Sequence, residues 1–179
     1  LLVILFTLVG VLLSMPYILL LPIFTEDILK VGASGLGALM SVSGVGAIVG
    51  SLALASLPNK KRGLMLLVSS LLLSVALSFF AFSSSWSISL ILIAFVGLGN
   101  AGQMTLSSTL LQYYSKDEFR GRVMSILMMQ FGLMAFGAFG AGVLAEAVGV
   151  QWAIGGFAIV LVLMTMLALA FIPRLRRLD

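Results

Sequence analysis

The stretch that decides the architecture reads GLGALMSVSGVGAIVGSLALASL (residues 35–57), PNKKRG (58–63) and LMLLVSSLLLSVALSFFAF (64–82). Two uncharged apolar runs flank a short turn holding Pro58, Gly63 and three consecutive basic residues, Lys60, Lys61 and Arg62. A helix needs about 20 apolar residues to cross the hydrocarbon core of a bilayer, and each run is that long. The segment therefore reads as two membrane-spanning helices joined by a tight basic turn.

The same grammar extends in both directions. Further apolar spans are expected over residues 1–24, 88–113, 123–145 and 152–172. Between them lie a short polar connection at 25–30, a Ser-rich turn at 83–87 with Trp86 as an interface anchor, a charged loop at 115–122, a turn at 146–151 and a basic tail at 173–179. Composition agrees: 61% of the 179 residues are hydrophobic and only 9% are charged, and the mean hydropathy is +1.25. A soluble domain carries about 25% charged residues, and a disordered chain is poor in apolar residues, so both classes are excluded. The fold class is an all-α membrane protein, one six-helix transmembrane domain over residues 1–179. The chain opens on Leu inside an apolar run with no charged n-region before it. It does not read as a signal peptide, and the expectation is a fragment of a longer protein.

Charge placement gives an orientation. Alternating spans put Lys60, Lys61, Arg62, Lys116, Arg120, Arg122, Arg174, Arg176 and Arg177 on one face and only Lys30 on the other. That asymmetry marks the crowded face as cytoplasmic and puts the C-terminus inside. It also accounts for the net charge of +4 through membrane topology, with no nucleic-acid partner; the lipid bilayer is the partner implied. The loop clusters read either as topology and headgroup contact or as gating contacts.

The spans carry little classical chemistry. The chain has no Cys and no His, so thiolate chemistry, imidazole bases and Cys/His metal sites are excluded. No phosphate-binding Gly-Lys-Ser/Thr loop and no intramembrane carboxylate pair occur, so neither an enzyme nor an ATPase is expected, and no cofactor or metal. Glu146, at the end of the fifth span, reads as an interfacial carboxylate or as a proton site.

Polar and small residues are not scattered. Asn100, Gln103 and Ser107 fall on one face of the fourth span, and Thr7, Gly10, Ser14 and Tyr17 form a milder stripe on the first. Pro16 interrupts that stripe and frees a backbone carbonyl, and Gln130 adds an amide to the fifth span. An amide facing lipid would lose its hydrogen bonds at a cost of several kcal/mol. These side chains must therefore face helices or water, either as interhelical bonds or as the lining of a central cavity. Gly46 and Gly50 form a G-x-x-x-G on the second span, and Gly137, Ala141 and Ala145 repeat the spacing on the fifth. Small residues so spaced let helices approach closely in lipid, as static packing or as a surface on which helices rock. The bulky third and sixth spans suit a lipid-facing position. The Met residues, Met128, Met129 and Met134 among them, serve as filler or as an adaptable apolar pocket.

The connection Asp117-Glu118-Phe119-Arg120-Gly121-Arg122-Val123-Met124-Ser125 resembles the R-G-R-V-x-S signature of bacterial exporters of the multidrug, macrolide and siderophore type. With Leu21-Pro22-Ile23-Phe24, the Gly-rich run 32–37 and the segment 140–149, it makes the chain similar to the C-terminal six-helix half of a major facilitator superfamily transporter. The resemblance implies alternating access by two six-helix halves around a midplane site, with a small-molecule substrate, coupling to protons and an N-terminal half of the same protein as partner. It implies a bacterial inner-membrane location, cavity-lining first and fourth spans, and second and fifth spans packed across the halves. Thr7, Ser14, Tyr17, Asn100, Gln103, Ser107 and Gln130 become cavity candidates, and Arg120, Gly121 and Arg122 cytoplasmic gating candidates. One departure stands out: the family's loop after the second span of a half carries an acidic residue, and Asn59 stands nearby in its place. Two other readings use the same bundle, a non-transporting membrane scaffold and an uptake permease.

Overall fold

The computed structural model describes residues 2–57, 61–115 and 117–171; for residues 2, 117–120, 127 and 131 it describes the backbone alone. Lys60, Asn59, Lys116 and the basic tail lie outside the described residues, as do the side chains of 117–120. Among the described residues seven α-helices follow one another: α1 (Leu2–Ser14), α2 (Pro16–Ile23), α3 (Gly32–Ser56), α4 (Arg62–Ala81), α5 (Trp86–Tyr114), α6 (Asp117–Val148) and α7 (Val150–Phe171). They make six segments long and apolar enough to cross a membrane, since α1 and α2 belong to one, Val3–Ile28.

Pro16 divides that first segment. It has no N–H for Leu12 O and its ring crowds the preceding turn. The chain breaks at Met15, where the Ile18 N–H donates to Met15 O at 3.2 Å, one residue short of helical spacing. Pro22 removes a second donor, and the segment ends in a widened π-turn, Phe24–Ile28, closed by the Leu29 N–H on Phe24 O at 3.1 Å. The Thr25 hydroxyl donates to Pro22 O at 2.7 Å. The span thus runs past Phe24 and takes up Glu26 and Asp27, which the sequence placed in a connection.

Two other expected connections are also helix. The charged loop at 115–122 is helical from Asp117 onward, so Arg120, Gly121 and Arg122 lie on the first turns of α6. Charge alone does not break a helix, and the stretch lacks Pro. The turn at 146–151 shrinks to Gly149, whose φ of +92° suits glycine alone. Its N–H donates to Ala145 O at 2.9 Å and its carbonyl accepts from Ala153 N at 3.0 Å, so α6 passes almost directly into α7. Trp86 opens α5 instead of sitting in the preceding turn.

Helix α5 is the centre of the packing, with its most extensive contacts to α3 and α4, while α4 also packs against α7. Glycines set these distances. A Cβ on Gly46 would stand 2.0 Å from Ala94 O, and one on Gly97 would stand 2.0 Å from Ser43 O, so the α3 and α5 backbones touch. On the other side of α5, Gly99 lies against Leu73 and Gly102 against Ser69, which fixes α4 antiparallel to it. Gly50 lies against Leu98, and a Cβ on Gly137 of α6 would stand 3.0 Å from Leu12 O and 3.2 Å from Pro16 Cγ. Helix α6 therefore bears on the carbonyl that Pro16 strips of its helical donor, and Ala141 on the same face is fully buried.

The largest buried side chains gather around Phe24, Phe80, Leu39, Leu73, Ile93 and Ile154, with the Phe24 and Phe80 rings 4.8 Å apart. A second cluster, Phe6, Leu66, Leu67, Leu106 and Leu110, lies toward the end that carries Lys61 and Arg62. Each bulky span has a core side and an outward side, and Ile159, Val160, Leu163 and Leu167 of α7 face outward. Half of the most apolar window of α4 is buried, with only Val68, Val75 and Phe79 facing outward among its large side chains. Leu and Val serve a core and a lipid face equally well, so composition does not separate the two. The least covered helices are α3 and α6, at 17% and 19% of the corresponding window.

Gly44 points into open space, two residues from Gly46. Gly46→Ala is expected to force α3 off α5, costing about 1–3 kcal/mol. Gly44→Ala should be neutral or gain up to ~1 kcal/mol of helix propensity. Thermal unfolding of the two purified variants checks this, and equal midpoints would contradict the glycine crossing.

Candidate functional site: a polar cavity between α1, α5 and α6

Helix α5 touches α3 and α4 through its glycines, and its remaining face carries Asn100, Gln103 and Ser107. Against that face stand Thr7 and Ser14 of α1 and Gln130 of α6. The six side chains surround a cavity of about 30 Å³, completed by Val11 and Met104. Contact between α5 and α6 is slight beside that of α5 with α3 and α4, so the cavity occupies a thinly packed seam. Thr7, Ser14, Gln103, Ser107 and Gln130 are buried, while Asn100 is half-buried.

Hydrogen bonding sets this group apart. Most hydroxyls in the spans bond to their own helix, as Thr165 does to Leu161 O at 2.8 Å, Ser41 to Gly37 O at 2.8 Å and Thr109 to Thr105 O at 2.8 Å. Thr7 Oγ1, Ser107 Oγ and both polar atoms of Gln103 are buried and find no partner among the described residues. A buried donor or acceptor left unmatched costs about 1–3 kcal/mol, so three such residues on one cavity mark a place built for something other than stability. Gly10 belongs to the same construction, because a Cβ there would stand 2.5 Å from Gln103 Nε2.

Tyr17 does not join this group. It lies beyond the Pro16 break, buried in the apolar core, with its phenol in hydrogen-bonding reach of Ser43 on α3. Thr7, Ser14 and Tyr17 belong to one span, Val3–Ile28, but the Tyr17 side chain packs in the apolar core while Thr7 and Ser14 line the cavity. Val11 and Met104 were missed, although each stands four residues after a predicted lining residue, a spacing that keeps them on the same face. Ser70 on α4 was missed too; its buried hydroxyl is likewise unmatched, and nothing in the apolar run around it signals that.

A second pocket, of about 180 Å³, opens at the end holding Arg62, between Ser51 of α3 and Leu57 just after it, Met65 of α4, and Thr105 and Thr109 of α5. The hydroxyls of Ser51 and Thr109 are engaged with their own helices. Gly121 and Arg122 are exposed on α6, and the side chain of Arg120 lies outside the description. Glu146 is exposed near the end of α6. Among the described residues no group of His, Cys, Asp or Glu could hold a metal ion.

The model of the Major Facilitator Superfamily matches residues 2–179. The chain belongs to the major facilitator superfamily. Comparison with curated proteins and with solved structures gave no match. Members of this superfamily are membrane transporters, and the chain is accordingly a membrane protein of the transporter type.

An unmatched amide contributes no stability, so Gln103→Leu and Thr7→Val are expected to leave the major facilitator fold intact and raise its unfolding free energy by about 1 kcal/mol. A fall in the unfolding midpoint on either substitution would show that these groups are structural bonds.

Proposed function

We propose that this chain is one six-helix half of a secondary active transporter that exports small amphipathic molecules by alternating access, driven by the proton gradient. The observation that carries the reading is the cavity itself: Thr7, Ser14, Asn100, Gln103, Ser107 and Gln130 converge in a chain that is otherwise 61% hydrophobic. Substrate sites in such transporters lie near the bilayer midplane between repeats, and a group of unmatched polar atoms is suited to that task. The cavity-lining role is thereby assigned to α1 and α5, with α6 as a third wall.

The thin coverage of α3 and α6 supports a further part of the reading. Met40, Val45, Ile48 and Leu52 on α3 and Phe136, Phe139 and Val143 on α6 are exposed large apolar side chains. We assign these faces to contact with an opposing six-helix half. Glu146 is exposed and no carboxylate lines the cavity among the described residues, so the proton-coupling group is assigned to the opposing half. The positive-inside asymmetry supports a cytoplasmic C-terminus; we assign the protein to a bacterial inner membrane and Arg120, Gly121 and Arg122 to the cytoplasmic gate.

Reconstituted full-length protein tests the proposal. Vesicles with an imposed pH gradient should move a fluorescent amphipathic amine or amide, and Asn100→Leu with Gln103→Leu should reduce that movement about tenfold or more at an unchanged amount of folded protein. Parallel loss of fold and transport would favour interhelical bonding. Accumulation in the opposite sense would make the protein an uptake permease. No movement of any solute, together with a stably copurifying partner, would contradict transport.

A further inference from the structure

The chemistry of the cavity narrows what it can receive. Gln103 is 2% exposed, and its Oε1 acceptor and Nε2 donor, side by side on one planar group, both lack a partner among the described residues. The hydroxyls of Thr7 and Ser107 are unmatched on the same cavity. Each can donate or accept. No charged side chain lines the space among the described residues. Its volume, about 30 Å³, is room for about two waters or one small polar group. Gly10 leaves the Gln103 amide its place, since any Cβ there would collide with Nε2.

We infer that the cavity takes a neutral group that donates and accepts hydrogen bonds from adjacent atoms, the carboxamide of an amphipathic solute. The inference deepens the transporter reading and rests on it for the identity of the ligand as a transported solute. A carboxamide meets Gln103 head to head: Gln103 Nε2–H donates to the solute carbonyl, and the solute N–H donates to Gln103 Oε1. Thr7 and Ser107 supply the remaining donor and acceptor positions. An ester offers a carbonyl but no N–H, which leaves Oε1 buried and unmatched. A carboxylate lacks the donor as well and brings a charge into a space with no counter-charge among its described walls, at a heavy desolvation cost. Sites that bond a polar group reject analogues lacking it far more strongly than apolar pockets reject a missing methylene.

The test is equilibrium binding to purified full-length protein. The probes share one fluorescent aromatic tail and end in a primary amide, a methyl ester or a carboxylate. Wild type should bind the amide about 10- to 100-fold more tightly than the ester, the range expected when one buried acceptor is left unpaired, and the carboxylate weakest. Gln103→Leu should lower amide affinity to that of the ester and leave ester affinity unchanged. Thr7→Val should narrow the ratio in part. Equal wild-type affinities for amide and ester, failure to bind the amide, or a preference that survives Gln103→Leu would each overturn the inference. The wild-type comparison stands even where a variant fails to fold. Vesicle transport of the amide probe separates the two levels: binding without transport keeps the site and removes the transporter reading, whereas transport without amide preference does the reverse.

Discussion

Backbone-to-backbone contact at the glycines of α5 is the constraint on which the rest of this structure depends. In lipid, apolar side chains gain nothing by leaving the solvent for one another, and helices associate through close packing and polar contacts. Gly97 lets α5 lie directly on α3, where Gly46 reciprocates, and Gly99 and Gly102 let it lie on α4. With two sides of α5 occupied at backbone distance, a third is left for Asn100, Gln103 and Ser107. The polar face is therefore aimed by the glycine faces. Change the crossing and the cavity residues turn with it.

The first span contributes through a break. Pro16 interrupts the helical hydrogen bonding between α1 and α2, and Tyr17 just past it sits in the apolar core, while Thr7 and Ser14 before it line the cavity. Gly137 of α6 fills the space beside the break, within 3.0 Å of Leu12 O for an added Cβ. The same proline thus does two things. It interrupts the helical hydrogen bonds of the span, and it offers α6 a surface on which a glycine fits. The thin contact of α5 with α6 leaves the seam where the cavity sits.

Much of this was legible in the sequence. Uncharged runs of about 20 residues separated by Pro58–Gly63 or Gly149 can do little other than span a membrane, and amides inside them must turn inward, which singled out Asn100, Gln103 and Gln130. What could not be read has physical reasons too. Whether α4 faces lipid or core is hidden because both environments are apolar, and α4 proves half-buried. The helical start of α6 at Asp117 is hidden because a run of charges reads as a loop, although charge does not break a helix and Gly121 sits within it. Gly10 reads as part of the polar stripe on the first span, but that it lies against the Gln103 amide is visible only in the structure.

The central claim is that the polar residues of α1, α5 and α6 line a space reached by solutes, where helix packing alone would keep them dry. The chain has no cysteine, so single cysteines can be placed in it without background from its own residues. Reaction of Thr7→Cys, Asn100→Cys and Ser107→Cys with a water-soluble maleimide, in full-length protein otherwise free of cysteine and embedded in membranes, tests the claim most directly. Labelling at these three positions, with none at Phe79→Cys on the outward face of α4, is the predicted result. Three unreactive cavity positions, in protein whose exposed Arg122→Cys does label, would contradict it.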